Sequence, residues 1–515
     1  MEQLSDSNQR IANNTLLLYF RMLLIMVVSL YTSRVVLSTL GVSDFGIYNV
    51  VGGVVSMLGM IRSVLAAGTS RYLNYSLGKG DKELACKTFN VSIIIYIIIC
   101  IVIIVLAETI GVWFLNTQLV IPECRIVAAN YVFQFSILSS VNQMLVMPYN
   151  SVIISYERMG VYAYISVLEV FLKLVISYLI CVSPIDKLIF YSLLMLASDL
   201  LICGLYRLYC HKNFEICKFR VYRDYSFYKE MLSYSGWNFF GALAGFARSQ
   251  GLNVLISMFF NPSVCAARGI AYQVNNAITQ FSSNFFLAAK PQIIKYYARG
   301  EINNMEMLVF RTSRLSFFLL LILSLPIIIE VPFIIQLWLG QSPEYVEIFV
   351  RLIIIFSTIE AMAHPLMTVC HATGRIMVYQ VVVGILQVLI IPISYIFLKN
   401  GFTPPIVFVV AIVIGIVCLF VRLWICKWLV GFPFWRYTYQ VLLNAVFLSG
   451  ISSIVPLILY FTLENSTMNA MIVCLSSIMS SLCCVYFYGL ESNERSFLLN
   501  MISLRLKKNG KKNTV

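Results

Sequence analysis

Runs of about twenty apolar residues recur almost end to end along the chain, and a helix needs about 20 such residues to cross the hydrocarbon core of a bilayer. The pattern predicts fourteen spanning helices, near residues 15–38, 45–68, 90–115, 125–152, 161–183, 187–208, 232–260, 264–289, 314–339, 346–371, 376–398, 404–429, 437–461 and 467–489. Between them lie turn clusters such as Gly41-Val42-Ser43-Asp44, Ser183-Pro184-Ile185-Asp186 and Asn261-Pro262-Ser263. Lone prolines within spans, at Pro326, Pro332, Pro365 and Pro392, are expected to kink their helices, as membrane helices tolerate.

Loop charge tests this count. Lys and Arg collect in every second loop, for example Arg71, Lys79, Lys82 and Lys87, then Arg207 through Lys229, then Lys290 through Arg311. Arg10 and the tail, Arg495 through Lys512, share that side, while the opposite loops hold little beyond Lys187 and Lys399. The positive-inside rule then puts both termini in the cytoplasm, which requires an even number of spans. The outer loops are short and offer no room for an extracytoplasmic catalytic domain.

The longest basic connections suggest a division. Residues 1–208 form a first six-helix bundle, 209–231 a cytoplasmic linker, 232–429 a second six-helix bundle, 430–489 two extra helices and 490–515 a basic tail. The turn at Gly41 to Tyr48 is echoed by Asn261 to Tyr272, in keeping with the duplicated halves common in transporters.

Composition agrees: the 515 residues are 60% hydrophobic and only 12% charged, which marks an all-α polytopic membrane protein and excludes a disordered chain. The net charge of +14 is the cytoplasmic loop bias, so no nucleic-acid partner is implied. The fourteen cysteines sit mostly in apolar runs without CxxC or Cys/His spacing, so neither a metal site nor a disulfide framework is expected. No cofactor motif occurs, and the polar N-terminus lacks the short apolar core of a cleaved signal peptide.

Charged residues inside spans are costly and usually face a protein interior or a watery cavity. Asn238, Gly241, Gly245 and Arg248 share one face of the seventh span, and Arg268, Tyr272, Asn275, Thr279 and Ser282 follow a similar rhythm in the eighth. Tight helix packing through small residues would explain the glycines, whereas a cavity explains mid-span Arg248 better. In the tenth span Glu360 and His364 are four apart beside Pro365, and together could carry a coupling proton or form a structural cluster at the kink. Arg21, Arg62, Glu169, Lys173, Asp199 and Glu330 are further intramembrane charges, of which Glu169 and Lys173 should pair along their helix. His371 is expected at the interface, and Arg34, Arg125, Arg351 and Arg422 are expected to snorkel toward head groups.

Several segments carry a resemblance: Leu37 to Tyr48, Ser235-Gly236-Trp237-Asn238, Ala266-Ala267-Arg268-Gly269-Ile270-Ala271, Ala288-Ala289-Lys290-Pro291-Gln292-Ile293 and Trp338 to Tyr345. Over residues 8–490 the chain resembles bacterial O-antigen and capsule flippases of the multidrug/oligosaccharidyl-lipid/polysaccharide exporter superfamily. The resemblance implies two helix bundles in a V that open alternately, in the bacterial cytoplasmic membrane. It also implies transport of a glycan linked to polyprenyl diphosphate, with other polysaccharide-assembly proteins as partners. The family's cationic lumen matches Arg248 and Arg268 by location, with Arg21, Arg62, Asn238 and Asn275 as further candidates for the diphosphate cavity. Glu360, His364, Glu330 and Asp199 are the candidates for coupling to protons or Na+.

Two other functions compete. A multidrug exporter shares the architecture, but cationic drugs should favour acidic, aromatic cavities over mid-membrane arginines. A membrane-embedded glycan polymerase or ligase would need an outer acceptor site that short loops scarcely provide. No Walker A loop is present, so transport would draw on an ion gradient or on downhill use of substrate.

Overall fold

The computed structural model describes the backbone of residues 2–56, 58–117, 122–339, 343–464, 466–491 and 494–496, with side chains from residue 14 onward except several between 30 and 58 and Pro262. The basic tail from 497, the stretch 340–342 and the side chains of Arg10 and Arg34 lie outside the described residues. Within them every regular element is helical. The protein is a multi-pass membrane protein.

The helices are α1 (Glu2–Ser56), α2 (Leu58–Lys79), α3 (Lys82–Leu106), α4 (Ile126–Ser155), α5 (Met159–Leu179), α6 (Lys187–Asn213), α7 (Tyr225–Phe259) and α8 (Pro262–Ala298). They continue as α9 (Ile302–Ile329), α10 (Val331–Leu339), α11 (Val346–Thr373), α12 (Met377–Lys399), α13 (Ile406–Val430), α14 (Asn444–Thr462) and α15 (Thr467–Cys484). Each predicted span overlaps helix. Gly41, at φ 78 and ψ 167, breaks α1 into two arms, so the first arm is one crossing and the second arm with α2 the next. Asp81 caps α3 by accepting from the Leu84 amide, and Asp186 caps α6 by accepting from Leu188 and Ile189.

Among the described residues, nine helical segments are long and apolar enough to cross a membrane on length and composition alone. Helices α7, α8 and α11 are not among them. They carry the polar stripes, which lower their hydropathy.

The ninth span bends at one residue: α9 ends at Ile329, Glu330 forms the bend, and α10 restarts at Val331 with Pro332 in its first turn, while helical i to i−4 bonds still enter and leave Glu330, as a proline kink requires. Proline is tolerated there because a first-turn amide has no helical acceptor. Pro326, Pro365 and Pro392 do lie inside helices.

The chain forms two compact units that cut across the sequence division: residues 1–243, 287–305 and 368–381 in one, and 244–286, 306–367 and 382–515 in the other. The reason is helix length. At 35 and 37 residues, α7 and α8 exceed the roughly 20 needed for the hydrocarbon core, and their basic ends pack among the first-half helices.

In the first unit, Leu73, Phe89, Val152, Ile153 and Cys210 form one core, and Tyr72, Tyr96, Phe227, Tyr234 and Ile376 belong to another. Lipid is as apolar as these side chains, so close approach rather than water exclusion must hold such helices together. Gly78 shows this: a Cβ there would stand 2.7 Å from the Ala298 methyl and 2.9 Å from the Lys295 Cα. In the second unit, α14 and α15 pack on α9 through Leu325, Ile329 and Val473, with Leu459, Tyr460 and Leu463 beside them.

Candidate functional site

In the first unit, five helices bring charged and amide side chains to one place. Two adjoining cavities of about 260 and 250 Å³ share Arg62 from α2, Gln143 from α4 and Asp199 from α6. Arg62 donates to the Gln143 carbonyl oxygen, and the Gln143 amide donates to Asp199 at 2.9 Å. Ser139 also donates to Asp199, and Asn142 fixes the backbone of Asp199 at 2.9 Å. Arg21 lines the second cavity, stacked over the Tyr162 ring with its Nε buried and unpartnered among the described residues. Glu169 and Lys173 pair at 2.6 Å along α5, as their spacing predicts.

In the second unit, Glu360 of α11 accepts from both Nη atoms of Arg422 on α13, at 3.0 and 3.4 Å. Arg422 is therefore no interfacial snorkeller; it is 3% exposed and tied to an acid within the protein. Its place near the end of an apolar run was misleading, because the sequence does not show that Glu360 waits on the facing helix. His364 stacks on Phe286 with ring centroids 5.7 Å apart. Arg248 stands 4.9 Å over the Phe356 ring. Arg268 is buried, donates to Asn253 at 3.0 Å and to the Ser249 carbonyl at 2.9 Å, and so ties α8 to α7.

The small-residue stripe of α7 is a packing face. Asn238 accepts from Gln380 of α12 at 3.0 Å, a Cβ on Gly241 would overlap that same carboxamide, and a Cβ on Gly251 would come 2.6 Å from Ile391. Asn275 is buried in α8 with its Oδ1 unpartnered among the described residues. Two of the three other residues expected to snorkel also bond within the protein, while the side chain of Arg34 lies outside the described residues. Arg125 pairs with Asp44 and Asp186, and Arg351 donates to the Ile328 carbonyl at 3.0 Å.

The intramembrane charges thus sort into two groups. Glu360 with Arg422 and Glu169 with Lys173 are neutralised pairs. Among the described residues, Arg21, Arg62, Arg248 and Arg268 have no carboxylate within ion-pair distance. A guanidinium does not deprotonate to escape this cost.

Sequence reasoning did not anticipate the polar network at the basic ends of the first unit. Glu157, held at φ 59 in the turn between α4 and α5, accepts from Gln292 at 2.7 Å and from Lys295 of α8. Arg71 of α2 donates to the carbonyls of His371 and Ala372 at 3.3 and 3.2 Å, and Arg299 to that of Gly78 at 3.3 Å. Lys87 pairs with Asp224 ahead of α7. His371, expected at the interface, is 5% exposed and bonded through Nδ1 to the Tyr234 hydroxyl at 2.6 Å. The partners lie 135 to 301 residues apart, so no local spacing reveals them.

A family model described as MatE matches residues 18–179, which run from α1 to the end of α5. Among solved structures, an outward-facing multidrug resistance MATE family transporter of the MOP superfamily superposes with a TM-score of 0.70 at 14% identity, over 82% of this chain and 96% of its own. A MOP superfamily transporter from Pyrococcus furiosus, whose binding pocket is described as reversed in polarity, gives 0.69 at 14% identity over 82% and 96%. The Vibrio cholerae MATE transporter VcmN gives 0.64 at 14% identity over 85% and 99%. The chain has the fold of these transporters. Comparison with curated proteins gave no sequence match.

Proposed function

We propose that this protein flips a polyprenyl-diphosphate-linked oligosaccharide across the bacterial cytoplasmic membrane by alternating access, with cytoplasmic termini and coupling to a proton or Na+ gradient. The observation that carries the reading is the set of arginines without a carboxylate partner, above all Arg21 and Arg62 in one cavity system. A diphosphate must cross a low-dielectric region, and guanidinium groups stay charged while offering phosphate paired hydrogen bonds. Among the described residues Arg62 donates to a neutral amide, which a phosphate oxygen can replace.

The Arg62–Gln143–Asp199 chain supplies a coupling route in this reading. With Asp199 ionised, Gln143 is held toward it and keeps its carbonyl on Arg62. Cation uptake at Asp199 loosens Gln143 and changes how firmly Arg62 is occupied. Arg21, Glu169, Lys173 and Tyr206 surround the same cavity and share its field. The Glu360–Arg422 pair serves as a fixed dipole beside Arg248 rather than as the proton carrier.

The second reading is a multidrug antiporter, favoured by the fold neighbours and by Asp199 and Glu169 in the cavity wall. Surface glycan in a flippase-deleted strain distinguishes the two. Wild type should restore glycan, and Arg62→Ala and Arg248→Ala at matched protein levels should not. Lysine at either position should restore part of it, because charge survives while the planar fork is lost. Full restoration by the alanine variants, singly and together, would remove the diphosphate site; drug efflux that depends on Asp199 without any glycan rescue would favour the antiporter.

A further inference from the structure

The bend between α9 and α10 opens a third cavity, of about 360 Å³, away from the basic helix ends. Its walls are Pro332, Phe333, Tyr460, Leu463 and Val473, and its polar lining includes Gln336, Glu464, Ser466, Thr467 and Asn469. Glu330 lines it as well. This glutamate is 7% exposed, and among the described residues its side chain makes no hydrogen bond or ion pair. A carboxylate this little exposed and without a partner is costly, whereas Glu169, Asp199 and Glu360 each have one.

We propose that this pocket binds a small organic ammonium group, with Glu330 as its counter-ion. The volume and the walls choose the class. A metal ion prefers a close oxygen cage of six or more ligands at fixed distances, whereas this cavity is several times wider and half of its named lining is aromatic or aliphatic. Phe333 and Tyr460 give an ammonium the π faces that attract cations. Glu330 supplies the charge, exposed Glu464 draws cations to the mouth, and Asn469, which donates to the Glu464 carbonyl at 2.9 Å, holds the rim in place. The helix break is part of the design: Pro332 allows α10 to restart one residue after Glu330, so the carboxylate sits at the opening of the bend instead of within a continuous helix packed on both sides. The proposal is independent of the flippase reading, since none of its residues lies in the arginine cavities.

The ammonium can come from a free amine or from an ethanolamine lipid head group, and the test separates these sources. Purified full-length protein is titrated with ethanolamine in lipid-free detergent, following thermal stability and intrinsic tryptophan fluorescence. Saturable stabilisation is expected, weakened at least about tenfold by Glu330→Gln, the loss of one charge-assisted contact, and less by Glu464→Gln. In nanodiscs, native mass spectrometry then asks whether phosphatidylethanolamine is retained over phosphatidylglycerol by wild type and not by Glu330→Gln. Retention together with a suppressed ethanolamine titration assigns the site to the lipid; ethanolamine binding in both settings assigns it to a free amine. The proposal falls if neither amine depends on Glu330, or if calcium chloride stabilises through Glu330 while ethanolamine does not. Should Glu330→Gln fail to fold, Phe333→Leu and Glu464→Gln decide, since unchanged ethanolamine affinity in both overturns the site.

Discussion

At the scale of single residues, the sequence shows which charges enter the membrane but not which of them meet. Glu360 and His364 are neighbours by helical spacing, and that much is visible in a string of letters. The bond to Arg422 crosses between α11 and α13, 62 residues apart, and only folding reveals it. A buried ion pair behaves asymmetrically: removing one partner strands the other, whereas removing both can be nearly neutral. Arg422→Met alone is therefore expected to cost about 3–5 kcal/mol, and the double variant Arg422→Met/Glu360→Gln clearly less. Thermal denaturation of the four proteins of this cycle in detergent measures the coupling. Additive losses would mean that the two side chains do not sense each other.

Among elements, every predicted span falls on helix, and nine helical segments of the described residues are long and apolar enough to cross, because the bilayer sets a minimum length for a crossing helix. The apolar pattern does not show what happens at span ends, where tertiary contacts and backbone geometry decide. Helices α7 and α8, at 35 and 37 residues, exceed the roughly 20 needed for the hydrocarbon core because other helices take up their ends, and the ninth span bends at Glu330, just ahead of Pro332. Gly41 is the opposite case, a turn legible from sequence whose backbone then explains the residue. At φ 78 and ψ 167 it occupies a region that only glycine enters readily, and among the described residues nothing lies within 4 Å of where a Cβ would stand. Gly41→Ala should therefore cost about 1–3 kcal/mol through the backbone alone, without a steric clash to relieve. A lowered melting temperature with unchanged helix content by circular dichroism is the expected result. An unchanged melting temperature would mean that α1 tolerates another geometry at this turn.

On the scale of the whole molecule, the alternating access proposed above would require the basic helix ends to part, and in the first unit they are fastened. Glu157 holds Gln292 and Lys295, Arg71 holds two carbonyls in α11's last turn, and Lys87 holds Asp224. Each tie is polar and geometrically specific, so separation of the ends would break it. The exposed pair adds a sign that can be tested. The hydrogen bond from Lys87, then that from the Phe227 amide, holds the Asp224 carboxyl below the usual carboxylate range. A carboxylate depressed in the folded state contributes above its ordinary pKa, and that contribution fades as pH falls toward the depressed value. Near neutrality the tie is complete, and acid weakens it. Glu157→Gln combined with Asp224→Asn should accordingly raise hydrogen exchange in the basic ends of α2 and α8 at pH 7, with the core of α13 unchanged. Acidifying wild type should lower protection in the same segments once the slower intrinsic exchange at low pH is corrected for, and the double variant should respond less to acid because Asp224 is no longer there to titrate. Equal exchange in wild type and variant at pH 7 would show that these ties do not hold the basic ends together.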